Sequence, residues 1–253
     1  MRKENELRVI FLQNVNVFRR LEEKYLINSA QYDNLIEVMS RHMIPDQYGD
    51  YLVQNIYYDT PHWDVIRNSV DRPLYKEKMR LRCYNRLETP QIPNDVFLEL
   101  KKKYNGIVYK RRITMDKETP LNTMRDVVSR VDTQIARELD YYLNQNPVYE
   151  RVHIAYRREA LAGVENPDLR VTFDTQMRFR LDNLNFVSPL DSGRTILPQG
   201  EIVLEIKTIG GLPIWLTRAL SESKVYPRTF SKYGTCYTNY IVHEEKGPVK
   251  HIA

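Results

Sequence analysis

Glycine and cysteine are scarce in this chain of 253 residues, which has nine of the first and two of the second. The glycines are scattered, with only Gly210 and Gly211 adjacent, and no glycine-rich run ends in Gly-Lys-Ser/Thr, which excludes the P-loop route to a nucleotide. Cys83 and Cys236 are too few for a disulfide framework and lack the paired spacing of zinc or redox motifs. The histidines, His42, His62, His153, His243 and His251, lack metal-ligand spacing, so His153 reads as structural or surface. No apolar run approaches a membrane span, and the N-terminus carries Arg2, Lys3, Glu4 and Glu6 where a signal peptide needs a hydrophobic stretch. A soluble protein of a reducing, cytoplasmic compartment is expected. Repeats, low-complexity tracts and shifts of composition are also missing, so residues 1–253 read as a single domain.

What is abundant is charge. The formal net charge is +5, but 33 acidic residues stand beside 38 basic ones, so the chain leans towards an anionic partner without being a polybasic tail. Segments rich in aromatic and β-branched residues recur near 17–27, 52–59, 74–85, 96–103, 107–114, 149–159, 169–180 and 201–209, which predicts about eight strands. Helical spacing puts Tyr32, Leu35, Ile36, Met39 and Met43 on one face after a Ser29 cap, and a longer helix is expected over 122–143. Pro213 suits the first turn of another helix, and a last one is expected near Ser231. Asp59-Thr60-Pro61 reads as a strand-to-helix turn with Thr60 as the cap of a short helix through Trp63, and Tyr141-Tyr142 as packing of the long helix.

Alternate side chains of a strand point to opposite faces, so the charges can be phased. Lys76, Lys78, Arg80 and Arg82 share one face, with Met79, Leu81 and Cys83 on the other. The same alternation groups Arg20, Glu22 and Lys24; Glu99, Lys101 and Lys103; Glu205 and Lys207; Lys110 and Arg112; Tyr156 and Arg158; and Arg170, Thr172 and Asp174. A Glu-x-Lys step occurs three times. The plain reading is an antiparallel sheet with a solvated charged face. Against it, the apolar faces can pack on the helices, so a barrel would turn its charged rows into the lumen. Unpaired buried charge costs several kcal/mol per ion, and a multiply charged anion would neutralise it. Lys and Arg hold phosphate oxygens while Glu supplies hard oxygen ligands to Mg²⁺ or Mn²⁺, which lets both signs sit beside one phosphate chain.

Phe18-Arg-Arg-Leu-Glu-Glu-Lys-Tyr25, Tyr57-Tyr-Asp-Thr-Pro61, Lys76-Glu-Lys-Met-Arg-Leu-Arg82, Phe97-Leu-Glu-Leu-Lys101, Arg170-Val-Thr-Phe-Asp174, Leu204-Glu-Ile-Lys207 and Phe230-Ser-Lys-Tyr233 occur in this order. In that order the chain resembles the VTC domain, the polyphosphate polymerase module of the CYTH-like, or triphosphate tunnel metalloenzyme, superfamily. The resemblance implies an α+β fold: an eight-stranded antiparallel β-barrel, or tunnel, with a charged lumen and helices packed outside or across an end. It implies that Lys24, Arg80, Arg82, Lys101, Arg158, Arg170 and Lys207 line the tunnel and bind triphosphate or polyphosphate. Lys78 and Lys110 of the same rows join this set, Ser231 and Lys232 match a terminal phosphate-binding motif, and Tyr156 a tunnel tyrosine. Glu205 is the expected principal metal ligand, assisted by Glu22 and Glu99, with Mn²⁺ or Mg²⁺ as cofactor. Two departures stand out. Thr229 occupies a position often basic in the family, and the fuller Glu-x-Glu-x-Lys signature is Arg20-x-Glu22-x-Lys24 here, as in the VTC branch.

The implied reaction moves the γ-phosphoryl group of a nucleoside triphosphate to a growing inorganic polyphosphate chain, with Arg80, Arg82, Lys101 and Arg158 positioning phosphates and metal at Glu205 polarising a phosphoryl oxygen. Two alternatives stay open: an inorganic triphosphatase, in which water replaces the chain end, and a noncatalytic sensor of polyphosphate or inositol pyrophosphate. Nucleic-acid binding is not expected, because the basic residues alternate in phase with carboxylates rather than with exposed aromatics. A membrane-protein partner is implied by the resemblance, as is a stand-alone bacterial version without the regulatory domain of eukaryotic relatives.

Overall fold

In a computed structural model, which describes residues 20–87, 95–105, 107–116, 128, 131–186 and 192–245, the chain folds as one mostly antiparallel sheet with a few helices. The strands are β1 (Arg20–Ile27), β2 (Met43–Asp59), β3 (Tyr75–Arg86), β4 (Asp95–Tyr104), β5 (Ile107–Asp116), β6 (Tyr149–Gly163), β7 (Arg170–Arg180), the two-residue β8 (Arg194–Thr195) and β9 (Ile202–Ile209). The helices are α1 (Ser29–Met39), α2 (Asp64–Val70), α3 (Gln134–Gln145), α4 (Ile214–Glu222) and α5 (Lys232–Cys236), the last running through a π-helical turn (Tyr237–Ile241) into α6 (Val242–Glu245). All eight expected strands are present. No helix among the described residues is long and apolar enough to cross a membrane.

The hydrogen-bonded order is β1-β9-β7-β6-β2-β3-β4-β5, with β8 paired to β7. Among the described residues this path does not close, so what the ladder shows is a mostly antiparallel sheet of the expected α+β class. It is nevertheless strongly curled. Lys101 on β4 lies within electrostatic range of Glu22 on β1 and Glu205 on β9. In a flat sheet with strands about 4.8 Å apart, β4 and β9 would be about 24 Å from each other. Part of the gap is filled by chain without a ladder: the Arg228 N–H donates to the Lys24 carbonyl at 2.7 Å, and the Lys78 ammonium donates to the Ser231 hydroxyl at 3.2 Å.

Alternation decides what faces what. Met79, Leu81, Cys83, Leu98 and Leu100 are buried on the convex side with Ala136, Leu139, Tyr142 and Leu143 of α3. Tyr25, Phe173, Leu204 and Ile206 are buried there with Leu35 and Met39 of α1 and with Leu216 and Leu220 of α4. Burying one such aliphatic chain is worth about 1.5–3 kcal/mol, which fixes the phase and forces the charged rows onto the concave side. That concave side is not polar throughout. Tyr57, Val152, Ile154 and Val203 pack against Tyr233, Cys236, Tyr237 and Ile241, so the C-terminal helical segment plugs the sector of the lumen made by β2, β6, β7 and β9. Among the described residues α1, α3 and α4 pack outside and this segment across an end.

Local details differ from the sequence reading in instructive ways. Asn28, not Ser29, caps α1, in a reciprocal capping box with Gln31, and Met43 opens β2 instead of extending the helix. The long helix expected over 122–143 does not run through 131–133: Thr133 caps α3 by accepting from the Ala136 N–H at 3.1 Å, while positions 117–127 and 129–130 lie outside the described residues. Tyr142 packs into the core but Tyr141 is exposed. At the end of β2 the helix starts at Asp64, beyond Trp63, and Asp59 satisfies its orphan donors by accepting from Val65 and Ile66, each at 2.9 Å. Tyr233 donates to the same carboxylate at 2.8 Å, which ties the plug to α2 and leaves Asp59 a structural role.

Candidate functional site

The concave rows meet at three buried carboxylates. Glu99, 1% exposed, sits opposite Arg80 in the β3–β4 ladder and opposite Arg112 in the β4–β5 ladder. Arg80 donates to it through Nε at 2.8 Å, Arg112 through Nε at 2.7 Å, and the Lys110 ammonium lies 2.6 Å away. Burial alone would raise this carboxyl, but Arg80, Arg82, Lys110 and Arg112 hold it far below the usual carboxylate range. Arg82 is fixed from the other side, its Nε donating to Asn55 Oδ1 at 2.8 Å and its Nη1 to the Tyr84 hydroxyl at 3.2 Å. Burial opposes ionisation of Tyr84, yet Arg82 and Arg112 bring its hydroxyl down to about 7.

Asp174, fully buried, faces Arg158 across β6 and β7. Arg158 grips both carboxylate oxygens, at 2.6 and 2.7 Å, and Lys232 approaches to 2.6 Å from the start of α5. Tyr156 lies under these two cations, 5.3 Å from the Arg158 guanidinium and 4.5 Å from the Lys232 ammonium. Glu205 is the third centre. Lys24 stands 3.6 Å from it, Lys207 forms a second ion pair, and Lys24 is also 3.5 Å from Glu22. Burial and Glu205 push the Glu22 carboxyl up, but Lys101, Lys207 and Lys24 outweigh them and leave it lowered.

The fourth feature is a stretch of β3–β4 with no carboxylate on its face. Lys76 is registered against Lys103 and Lys78 against Lys101, and Lys101 is registered in turn against Lys110 on β5. Like charges directly opposite one another destabilise a sheet. Burial, with Lys76, Lys101, Lys24 and Arg80 nearby, brings the Lys78 ammonium down to about 7. No ion pair joins Lys76, Lys78, Lys101 or Lys103 to an acidic side chain among the described residues. Arg170 sits towards the opposite end, donating to Asp46 at 2.7 Å and to the Tyr51 hydroxyl at 3.3 Å. Ser231 caps α5 while its oxygen also accepts from Lys78.

The structure thus brings Lys24, Lys78, Arg80, Arg82, Lys101, Lys110, Arg158, Lys207 and Lys232 onto one concave surface with all three glutamates. Asn55, Tyr57, Tyr84, Arg112 and Asp174 also belong to it and were not among the expected site residues. Tyr57 accepts from Arg80 at 3.2 Å and shares its phase with Asn55; the period-two step along β2 is the signal that picks out both. The three glutamates differ in fitness for a divalent ion. Glu99 is ringed by four cations with no second carboxylate beside it among the described residues, whereas Glu205, itself paired with Lys24 and Lys207, has the Glu22 carboxylate adjacent, and directly opposite it the Thr172 hydroxyl is buried with no hydrogen-bond partner among the described residues. Two carboxylates with phosphate oxygens as the remaining ligands is a donor set that Mg²⁺ and Mn²⁺ accept, so the residues present fit such an ion at Glu22 and Glu205 and not at Glu99.

A family model described as VTC domain matches residues 19–241. No curated protein matches the sequence. Among solved structures, a candidate adenylate cyclase from Bacillus halodurans superposes with a TM-score of 0.50 at 10% identity, covering 84% of this chain and 93% of that one. A candidate adenylate cyclase from Vibrio parahaemolyticus gives a TM-score of 0.43 at 12% identity, covering 86% of this chain and 97% of the other. A protein from Pyrococcus horikoshii OT3 gives 0.39 at 14% identity over 81% and 86% of the respective chains.

Proposed function

The chain belongs to the VTC domain family, and from that premise we propose that it is a metal-dependent phosphotransferase that lengthens inorganic polyphosphate at the expense of a nucleoside triphosphate. The observation that carries the reading is the like-charged rung of Lys78 with Lys101, facing into the same concavity as the Glu22–Glu205 pair. A surface of this kind is short of negative charge over a length of strand, and a linear phosphate chain supplies it along that length.

The chemistry asks little covalent work of the protein. The terminal oxygen of the acceptor chain forms a bond to the γ-phosphorus as the bond from that phosphorus to the β-bridging oxygen breaks, and the nucleoside diphosphate leaves. Arg80 and Arg82 are held as fixed forks by Glu99, Tyr57, Asn55 and Tyr84, so they meet the charge on the transferring group without reorganising. Arg158 and Lys232, locked by Asp174, orient phosphate oxygens from the opposite wall, and Lys78 and Lys101 hold the neighbouring phosphates of the chain. Mg²⁺ or Mn²⁺ held by Glu22 and Glu205 would polarise a phosphoryl oxygen and offset charge on the triphosphate. The pathway for the chain is the curled concavity, completed as a tunnel by the segment that bears Arg228 and Ser231.

The test is incubation of the purified protein with ATP and Mn²⁺ or Mg²⁺, with products resolved by phosphorus NMR and gel electrophoresis. Chains longer than the triphosphate are the expected product. Orthophosphate without chains would replace this reading with a triphosphatase, and tight binding of triphosphate without turnover would replace it with a sensor. Glu205→Gln removes the counter-ion of Lys24 and Lys207, which are partly exposed, so it is expected to abolish most metal-dependent turnover with only a modest fall in melting temperature; equal loss of both would remove the metal role from Glu205.

A further inference from the structure

The lysine rungs do not end inside the concavity. Beyond Lys78 and Lys101 the ladder continues to Lys76 and Lys103 and then to the rim, where Tyr75 faces Tyr104. At that rim a pocket of about 420 Å³ is lined by Lys76, Lys103, Arg72 and Thr229 among others, a volume within the range of ligand pockets. It opens beside the sector filled by the C-terminal plug, since Thr229 lies just ahead of the Ser231 cap that receives Lys78. Three cations converge here, and among the described residues no carboxylate lines the pocket. Lys76 donates to the Ser69 carbonyl at 3.0 Å, and Arg72 sits in the turn after α2 with φ of 55°, a left-handed conformation that non-glycine residues adopt at a cost. Burial and the charges of Lys103 and Arg72 lower the Lys76 ammonium from its ordinary value, as expected where cations crowd without an anion.

We propose that Arg72, Lys76 and Lys103 form a second anion site, at the mouth of the concavity, that holds the stretch of a linear polyphosphate chain lying outside the reacting centre. The proposal rests on the phosphoryl-handling function given above and adds to it the chain's route: past Lys78 and Lys101, then out through the sector the plug leaves open. A triphosphate held at the Arg80–Arg158 centre is too short to use the mouth as well. A long chain uses both, and because its inner part is already held, the outer phosphates reach the mouth at high effective concentration. The mouth therefore discriminates by length.

The experiment compares affinity for tripolyphosphate and for a long polyphosphate chain in the wild-type protein, in a variant carrying Arg72→Gln, Lys76→Gln and Lys103→Gln, and in a control carrying Arg41→Gln, Arg218→Gln and Lys224→Gln on the far helical face. The expected result is that the mouth variant loses about tenfold to a hundredfold in long-chain affinity and less than about twofold for tripolyphosphate, while the control changes neither. Lys103→Gln alone, at an exposed position, shows part of the same selective loss if the triple variant folds poorly. Equal loss for both anions, no loss for either, or an equal effect of the control would overturn the mouth site while leaving the inner site intact. Wild-type protein that binds neither anion would overturn the proposed function and the mouth site together.

Discussion

Around Glu99, Asp174 and Glu205 each cation is ion-paired to a carboxylate, whereas along the β3–β4 ladder Lys76, Lys78, Lys101 and Lys103 face one another with no ion pair among the described residues, and Lys101 feels Glu22 and Glu205 only at longer range. Both regions lie on the same concave sheet face and use the same residue types. The balanced region is satisfied by the protein itself, so its arginines are already oriented and their positions do not depend on a ligand. The unbalanced region is left incomplete by the protein, at a cost in stability, and under the proposed function an anion from outside completes it. The comparison teaches that a basic residue's part in binding is told less by its charge than by whether a buried carboxylate has claimed it.

The largest expected effect falls on the balanced side. Asp174→Ala would leave Arg158 and Lys232 buried without their counter-ion, and a loss of about 3–5 kcal/mol in urea unfolding is expected. A loss under about 1 kcal/mol would mean that water or a neighbour replaces the carboxylate, and the comparison would fail on its first half. On the unbalanced side, changing Lys78 and Lys101 together to Gln is expected to weaken tripolyphosphate binding about a hundredfold in calorimetric titration while leaving the ligand-free melting temperature unchanged or higher. A lower melting temperature would show that the rungs support the fold.

A smaller and sharper effect concerns pH. In the free protein the Lys78 ammonium is lowered to about 7, so near pH 8 it must regain a proton to meet an anion. The affinity for tripolyphosphate should fall as pH rises from 7 to 9, by up to about tenfold per pH unit, with proton uptake visible as a buffer-dependent heat. Lys78→Arg should flatten this dependence, and comparison in the same buffers cancels titration of the anion itself. The linkage has the opposite sign for the ligand-free fold: the unfolded chain binds more protons at this lysine between pH 7 and about 10.4, so stability should rise with pH across that window. The smallest expected effect is Tyr84→Phe, which removes the oxygen that accepts from Arg82 and Arg112 and should lower turnover by a few fold without changing binding.

Strand phase was legible in the sequence because the side-chain period is two whatever the partner strand, and that placed Lys76, Lys78, Arg80 and Arg82 on one face before any pairing was known. Pairing itself was not legible. Nothing local to Lys78 says that its rung partner is Lys101, or that Glu99 is ringed by Arg80, Arg82, Lys110 and Arg112; both follow from the β3–β4 and β4–β5 registers. Hence the resemblance implied an assisting metal role for Glu99, while the register surrounds it with cations. Helix limits were missed for the same kind of reason, since Asn28 and Ser29 are both good caps and only tertiary context chooses between them. The plug was half legible: Ser231 announced a helix, but its placement on the concave side depends on Tyr233 stacking against Tyr57, 4.7 Å between ring centres.

A crystal structure with bound tripolyphosphate tests most directly whether the unclaimed lysines are the anion site. The account predicts phosphate oxygens within hydrogen-bonding distance of Lys78 and Lys101, with Arg158 still paired to Asp174 and Arg80 to Glu99. Phosphates bound on the convex face, or bound only after those carboxylate pairs have broken, would contradict it.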